Sequence, residues 1–172
     1  PFPDDAAAQD AWRAYHAGDF AKAVEIGLKA GPSGINAANK AAMIYANFLE
    51  DDADTRLKLF QDIAERCVAL QKAEPDNANA WYIHAYALGR YSQGISVGKA
   101  LAQGLGGKIK TSLDEALKRQ PKHADAHIAL GTFWPETTLA RAGKAHAWVP
   151  AGSGRNPGYG DIFIVQRHDP GK

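Results

Sequence analysis

Amide, aromatic and arginine side chains recur in this sequence at the spacing of one helix face, and their chemistry suits binding of a peptide. An Asn amide both donates and accepts hydrogen bonds toward an extended backbone. Tyr and Trp offer apolar area with a polar tip, and Arg90 can hold a carboxylate through two parallel hydrogen bonds. The candidate peptide-binding residues are Trp12, Asn36, Asn39, Met43, Asn47, Asn79, Tyr82, Tyr86 and Arg90. The competing interpretation places the aromatic rings in the core and leaves the amides solvated.

Three histidines form an alternative candidate site, for a metal ion. His123 and His127 are four residues apart, so one helix face can carry both, and His84 lies on a neighbouring predicted helix. Such a set resembles the imidazole ligands of zinc or copper. However, His123 falls in a predicted turn, and neither a carboxylate nor a Cys completes the ligand set. The sequence therefore favours packing and surface roles for these histidines and predicts no cofactor.

The sequence predicts no enzymatic activity. No nucleophile and base stand at a recognisable spacing, and no carboxylate pair is evident. The Gly104–Lys108 stretch lacks the spacing of a phosphate-binding loop, and Ile109 follows the lysine where Ser or Thr is required. Cys67 lies on an apolar helical stripe, which indicates a buried side chain and not a reactive thiol.

Composition excludes several other classes of protein. The chain has 172 residues, of which 45% are hydrophobic, enough to bury a core. The formal net charge of +1 argues against a dedicated nucleic-acid binder. No apolar run approaches the roughly 18 residues that span a bilayer. The sequence starts at Pro1, which we interpret as a sign of processing, such as removal of an export signal.

The elements that carry these residues are predicted helices arranged in repeated hairpins. The stretches that begin at Asn79 and Asp125 have the same apolar pattern, and each follows a proline and a polar turn. The acidic turn 51–54 precedes the most clearly amphipathic helix. The predicted helices lie near 5–17, 20–30, 36–49, 55–73, 79–90 and 96–103, and one capped by Thr111 or Ser112 runs to Arg119, with Gly104–Gly107 as a flexible segment.

The last part of the sequence has a different character. Residues 135–172 are rich in Gly and Pro and lack helical periodicity. We therefore predict a helical repeat domain over 1–134 and an irregular tail over 135–172. The strand-like run 161–165 has no predicted partner strand.

Several motifs resemble the tetratricopeptide repeat (TPR). They are Gly18-Asp19-Phe20 with Ala23-Val24, Ala80-Trp81 with Ala85 and Pro121, and Ala126-His127 with Leu130-Gly131. The resemblance covers about residues 5–134 and implies an all-α, TPR-like array of antiparallel helical hairpins (an α-solenoid). In such an array the first helices of the hairpins line a concave face. The resemblance implies that this face binds a protein or peptide and catalyses no reaction.

A closer similarity is to exported bacterial proteins with TPR-like repeats and no assigned activity. It rests on the stretches 30–36, 85–96 and 122–127. This similarity implies a periplasmic or exported protein, with a cytoplasmic one as the alternative.

Two departures from the repeat pattern stand out. The prolines at 32, 75 and 121 are 43 and 46 residues apart, against about 34 in the usual repeat. The fourth unit also lacks a second helix, which we interpret as a divergent or frame-shifted end. An incomplete unit predicts exposed apolar surface near Ile128, Leu130 and Phe133, and with it a third candidate function, self-assembly.

Overall fold

The computed structural model describes residues 4–131, which are all-helical and contain no strand. This confirms the predicted all-α class. Phe133, the tail 135–172 and the frame-shift hypothesis lie outside the described residues. The helices are α1 (Ala6–His16), α2 (Phe20–Lys29), α3 (Pro32–Phe48), α4 (Ala53–Ala73), α5 (Ala78–Gln93), α6 (Val97–Ala102), α7 (Leu105–Arg119) and α8, which occupies 124–131 at the end of the described range.

Short polar side chains begin most of these helices. Each accepts a hydrogen bond from a backbone N–H three residues ahead, which satisfies a donor that the helix itself leaves unpaired. The acidic turn supplies one of them, since Asp52 accepts from Thr55 over 2.8 Å. The five N-caps of this kind are Asp5, Asp19, Asp52, Asn77 and Ser96.

The turn between α2 and α3 is shorter than predicted. Helix α2 ends at Lys29 near the expected place, but α3 begins at Pro32 and not at Asn36. Gly31 adopts a φ of +67°, and Pro32 occupies the first helical position, where its missing N–H is not needed. Gly34 therefore lies inside α3, where it packs against Gly27 of α2.

Helix α7 also starts earlier than predicted. Gly104, with a φ of +63°, precedes a helix that begins at Leu105, so Thr111 and Ser112 lie in its interior. The predicted flexible segment is wrong for the two glycines at 106 and 107, which are helical. Burial of Leu105 and Ile109 outweighs the low helix propensity of these glycines. The short helix predicted over 96–103 is confirmed as α6.

The helices pack in chain order around one main core. Successive helices from α1 to α5 contact each other, α5 contacts α7, and α1, α3 and α5 also contact one another in sequence. Ile63 and Cys67 of α4, Ile83 of α5 and Leu113 of α7 are fully buried in the core. The burial of Cys67 confirms its predicted packing role. Within residues 4–131, no helix is long and apolar enough to cross a membrane.

Candidate functional site

The candidate residue Trp12 belongs to an aromatic cluster on α1. Trp12 is half-buried, and its ring lies 5.5 Å from that of Tyr15 in an edge-to-face arrangement. His16 is exposed and stacks on Trp12 at 6.1 Å between ring centroids. Tyr15 packs against a small core of alanines from three helices. Trp12 therefore keeps part of its ring accessible while its neighbour joins the core.

The candidate residues of α3 divide into two pairs. Asn36 and Asn47 are partly exposed, whereas Asn39 and Met43 are buried. The Nδ2 of Asn39 donates to Cys67 Sγ over 3.3 Å. Asn39 and Met43, both predicted to bind peptide, thus have no surface that a ligand can contact in this fold, because their side of α3 faces α4 and the core.

Asn36 keeps unused hydrogen-bonding capacity. Its Nδ2 donates to Asn77 Oδ1 over 3.2 Å, while its Oδ1 has no partner among the described residues. Asn77 is itself the N-cap of α5, so this bond ties α3 to the start of the next hairpin. That oxygen is itself buried, so it is not exposed to a ligand in this structure.

On α5 the candidate residues lie one helical turn apart along one face. Tyr82 is only 8% exposed, whereas Tyr86 and Arg90 are partly exposed. The Nε of Arg90 donates to Tyr86 Oη over 3.2 Å, and its guanidinium carbon lies 5.3 Å from the centre of the Tyr86 ring. These contacts orient the guanidinium along the helix surface.

A polar cluster joins α3, α5 and α8. The Lys40 Nζ lies 5.9 Å from the Tyr82 ring centre and 4.0 Å from an oxygen of Asp125. The ring of His123 packs 5.0 Å from that of Tyr82, and its Nε2 lies 3.2 Å from Asn79 Oδ1. We call Lys40, Asn79, Tyr82, His123 and Asp125 the α3–α5–α8 cluster. It brings two predicted binding residues, Asn79 and Tyr82, together with a cation and a carboxylate.

Lys40 and Asp125 are not among the residues predicted from the sequence. The partly exposed side of α3 contains Asn36, Lys40 and Asn47. The predicted set of Asn36, Asn39, Met43 and Asn47 included two residues of the buried side and omitted Lys40. One residue along a helix corresponds to a rotation of about 100°, so the step from Asn39 to Lys40 exchanges a buried side chain for a partly exposed one. The i, i+4 spacing of the polar residues Asn36 and Lys40 was the signal available in the sequence.

The three histidines have separate partners. His84 Nδ1 lies 2.7 Å from Ser112 Oγ, and His127 Nε2 lies 2.6 Å from the carbonyl oxygen of Pro121. His123 Nδ1 accepts from the backbone N–H of Ala126 and so caps α8. Within the described range, no group of three or more His, Cys, Asp or Glu side chains is arranged to hold a metal ion. The metal hypothesis for His84, His123 and His127 therefore gains no geometric support.

Burial of His84 predicts a loss of stability in acid. Burial, and secondarily the charge of Lys108, lowers the pKa of His84 from 6.5 to about 4. Between these two pH values His84 is protonated in the unfolded chain but not in the folded chain. The free energy of unfolding therefore falls as the pH drops from about 6.5 toward 4. We expect His84→Gln to reduce the loss of unfolding free energy between pH 7 and pH 4.5 by about 1–3 kcal/mol. Urea unfolding at both pH values measures this, and equal losses in wild type and variant would contradict it.

Cys67 is not available as a nucleophile in this structure. Burial raises the pKa of its thiol to about 12, so the thiol stays protonated at neutral pH. An open depression of about 380 Å³ lies between α1 and α2. None of the candidate peptide-binding residues lines it.

The accessible candidate residues lie on the outer sides of α1, α3 and α5. The α3–α5–α8 cluster joins Lys40 of α3 and Tyr82 of α5 with Asp125 of α8. A comparison of the chain with models of protein families, with curated proteins and with solved structures finds no match in any of the three.

Proposed function

We propose that this chain is a non-enzymatic scaffold that binds an extended segment of another protein across α1, α3 and α5. The observation that carries the proposal is the α3–α5–α8 cluster together with the Tyr86–Arg90 pair. Side chains from separate helices there bring cations, aromatic rings and the amide of Asn79 close together. The sequential contacts of α1, α3 and α5 support a TPR-like solenoid with these helices on its binding face.

An extended peptide suits this surface better than a small molecule does. The partly exposed groups are distributed along three helices, and small-molecule sites are usually concave pockets. Tyr86 is partly exposed and offers apolar area with little rotamer entropy to lose. The resemblance to exported bacterial proteins supports the periplasm as the proposed location, with the cytoplasm as the alternative.

A displayed random-peptide library, selected on the immobilised full chain, tests the proposal. We expect enrichment of peptides whose affinity falls at least about tenfold in Tyr86→Ala and in Lys40→Glu, because hot-spot side chains dominate such interfaces. Lys58→Glu is the matched control, since Lys58 is an exposed lysine on α4 that pairs with Asp62. Affinity is measured by titration calorimetry, and circular dichroism checks that each variant is folded.

Three results would count against this proposal. The first is a selection that enriches no peptide above background. The second is an enriched peptide that binds Tyr86→Ala and Lys40→Glu as tightly as it binds the wild type. Equal weakening by Lys58→Glu would show a general charge effect and would likewise remove support for the α1–α3–α5 surface.

A further inference from the structure

Two exposed apolar patches of opposite charge lie at one end of the helix array, outside the proposed peptide-binding surface. The first follows the C-terminal end of α3, where Phe48 is 68% and Leu49 is 54% exposed. The second is on α6, where Leu101 is 76% exposed and Val97 is also exposed. Large apolar side chains with this much exposure, grouped together, are typical of interaction surfaces.

The first patch carries negative charge. Glu50, Asp51, Asp52 and Asp54 directly follow Leu49, and no basic residue occurs before Arg56. Glu50 accepts from the Tyr45 hydroxyl, and Asp52 caps α4, so these two are held in place. We call Tyr45 and residues 48–54 the acidic patch.

The second patch carries positive charge. Residues 77–113 contain no Asp or Glu, and within them Lys99 lies on α6 and Lys108 near the start of α7. Both lysines are exposed, and neither forms an ion pair with the described residues. We call Val97, Lys99, Leu101 and Lys108 the basic patch.

The two patches belong to the same end of the molecule. Gly94, which ends α5, abuts Leu57 in the first turns of α4, since a Cβ built on it would lie 2.4 Å from Leu57 Cδ2. The acidic patch leads into α4, and α6 begins three residues after Gly94. No ion pair joins the patches within residues 4–131. Each copy therefore presents both an acidic and a basic apolar surface to its surroundings.

We propose that the partner of this end is a second copy of the chain, in a symmetric dimer where each acidic patch packs on the other copy's basic patch. A two-fold axis makes the contact twice, because each copy supplies both halves. Burial of Phe48, Leu49 and Leu101 favours association, because it removes their apolar area from water. The carboxylates at 50–54 face Lys99 and Lys108 of the other copy, which fixes the register and disfavours pairing of like patches.

Sedimentation velocity of the full 172-residue chain across a wide range of concentration tests this dimer. We expect the mass to rise from monomer to dimer with concentration, and Leu101→Glu to raise the dissociation constant at least about tenfold. Lys118→Glu, on the exposed part of α7, is the control and leaves association unchanged. These substitutions are at exposed positions, so circular dichroism should show wild-type folding.

A charge exchange tests the pairing of the two patches directly. Asp51→Lys and Lys99→Glu each weaken self-association by about two- to fivefold. An equimolar mixture of the two variants associates more tightly than either alone, because the mixed dimer has one native contact and one with both charges reversed.

Three results overturn the proposal. They are a monomer at every concentration, a dimer that Leu101→Glu does not weaken, and a mixture that associates no better than its components. Lys40 and Tyr86 lie outside both patches, so loss of the dimer and loss of peptide binding are separate outcomes.

Discussion

Gly34→Ala is expected to destabilise the protein by about 2–3 kcal/mol, because the added methyl group has no space. A Cβ at this position would lie 2.3 Å from the carbonyl oxygen of Gly27 and 2.8 Å from its Cα. These are backbone atoms of α2, so only a shift of the whole helix relieves the overlap. Thermal or urea unfolding, followed by circular dichroism, measures the loss.

Gly89→Ala is the matched control for this prediction. Gly89 also lies within a helix, but a Cβ there would meet nothing within 4 Å. Alanine reduces the entropy of the unfolded chain, so we expect a gain of about 0.4–1 kcal/mol. Equal effects of the two substitutions would show that the close approach of α2 and α3 does not limit residue 34.

Ile83→Ala is the second substitution with a large expected effect. It should lower the free energy of unfolding by about 2–5 kcal/mol. Ile83 is fully buried on α5, the helix that contacts both α4 and α7. Removal of its side chain leaves a cavity at the centre of the main core. For a domain of this size, the melting temperature should fall by at least about 5 °C.

Ile128→Ala provides the comparison at an exposed site. Ile128 is 58% exposed on α8, so truncation there should change the unfolding free energy by less than about 0.5 kcal/mol. A similar loss at both positions would mean that Ile128 is covered in solution. That result would favour the self-assembly predicted around Ile128 and Leu130 over the dimer through the acidic and basic patches.

The helices themselves were largely predictable, because their signals are local. Asp19 and Asp52 start α2 and α4 as their capping chemistry indicates. The start of α7 was not predictable in this way. Its first turn contains Gly106 and Gly107, which local propensity places outside a helix. Contacts of Leu105 and Ile109 with the rest of the core extend the helix there.

The candidate site was predictable in residue type but only partly in orientation. Tyr86 and Arg90 reach the surface as expected, and Asn79 joins the α3–α5–α8 cluster. The orientation of α3 differs from the prediction, because Asn39 is polar and yet buried against Cys67. If every amide is assigned to the exposed side of a helix, one buried amide turns the predicted exposed side toward the core.

The sequence by itself determined the all-α class, the buried character of Cys67 and the residue types available for binding. These depend on neighbours within a few positions along the chain. Only the tertiary structure decided which side of α3 is exposed, where α7 begins, and that Lys40 meets residues of α5 and α8. It also placed the acidic and basic patches at one end of the array. The physical reason is that burial depends on contacts between helices distant in sequence, and a rotation of about 100° exchanges a core residue for a surface residue.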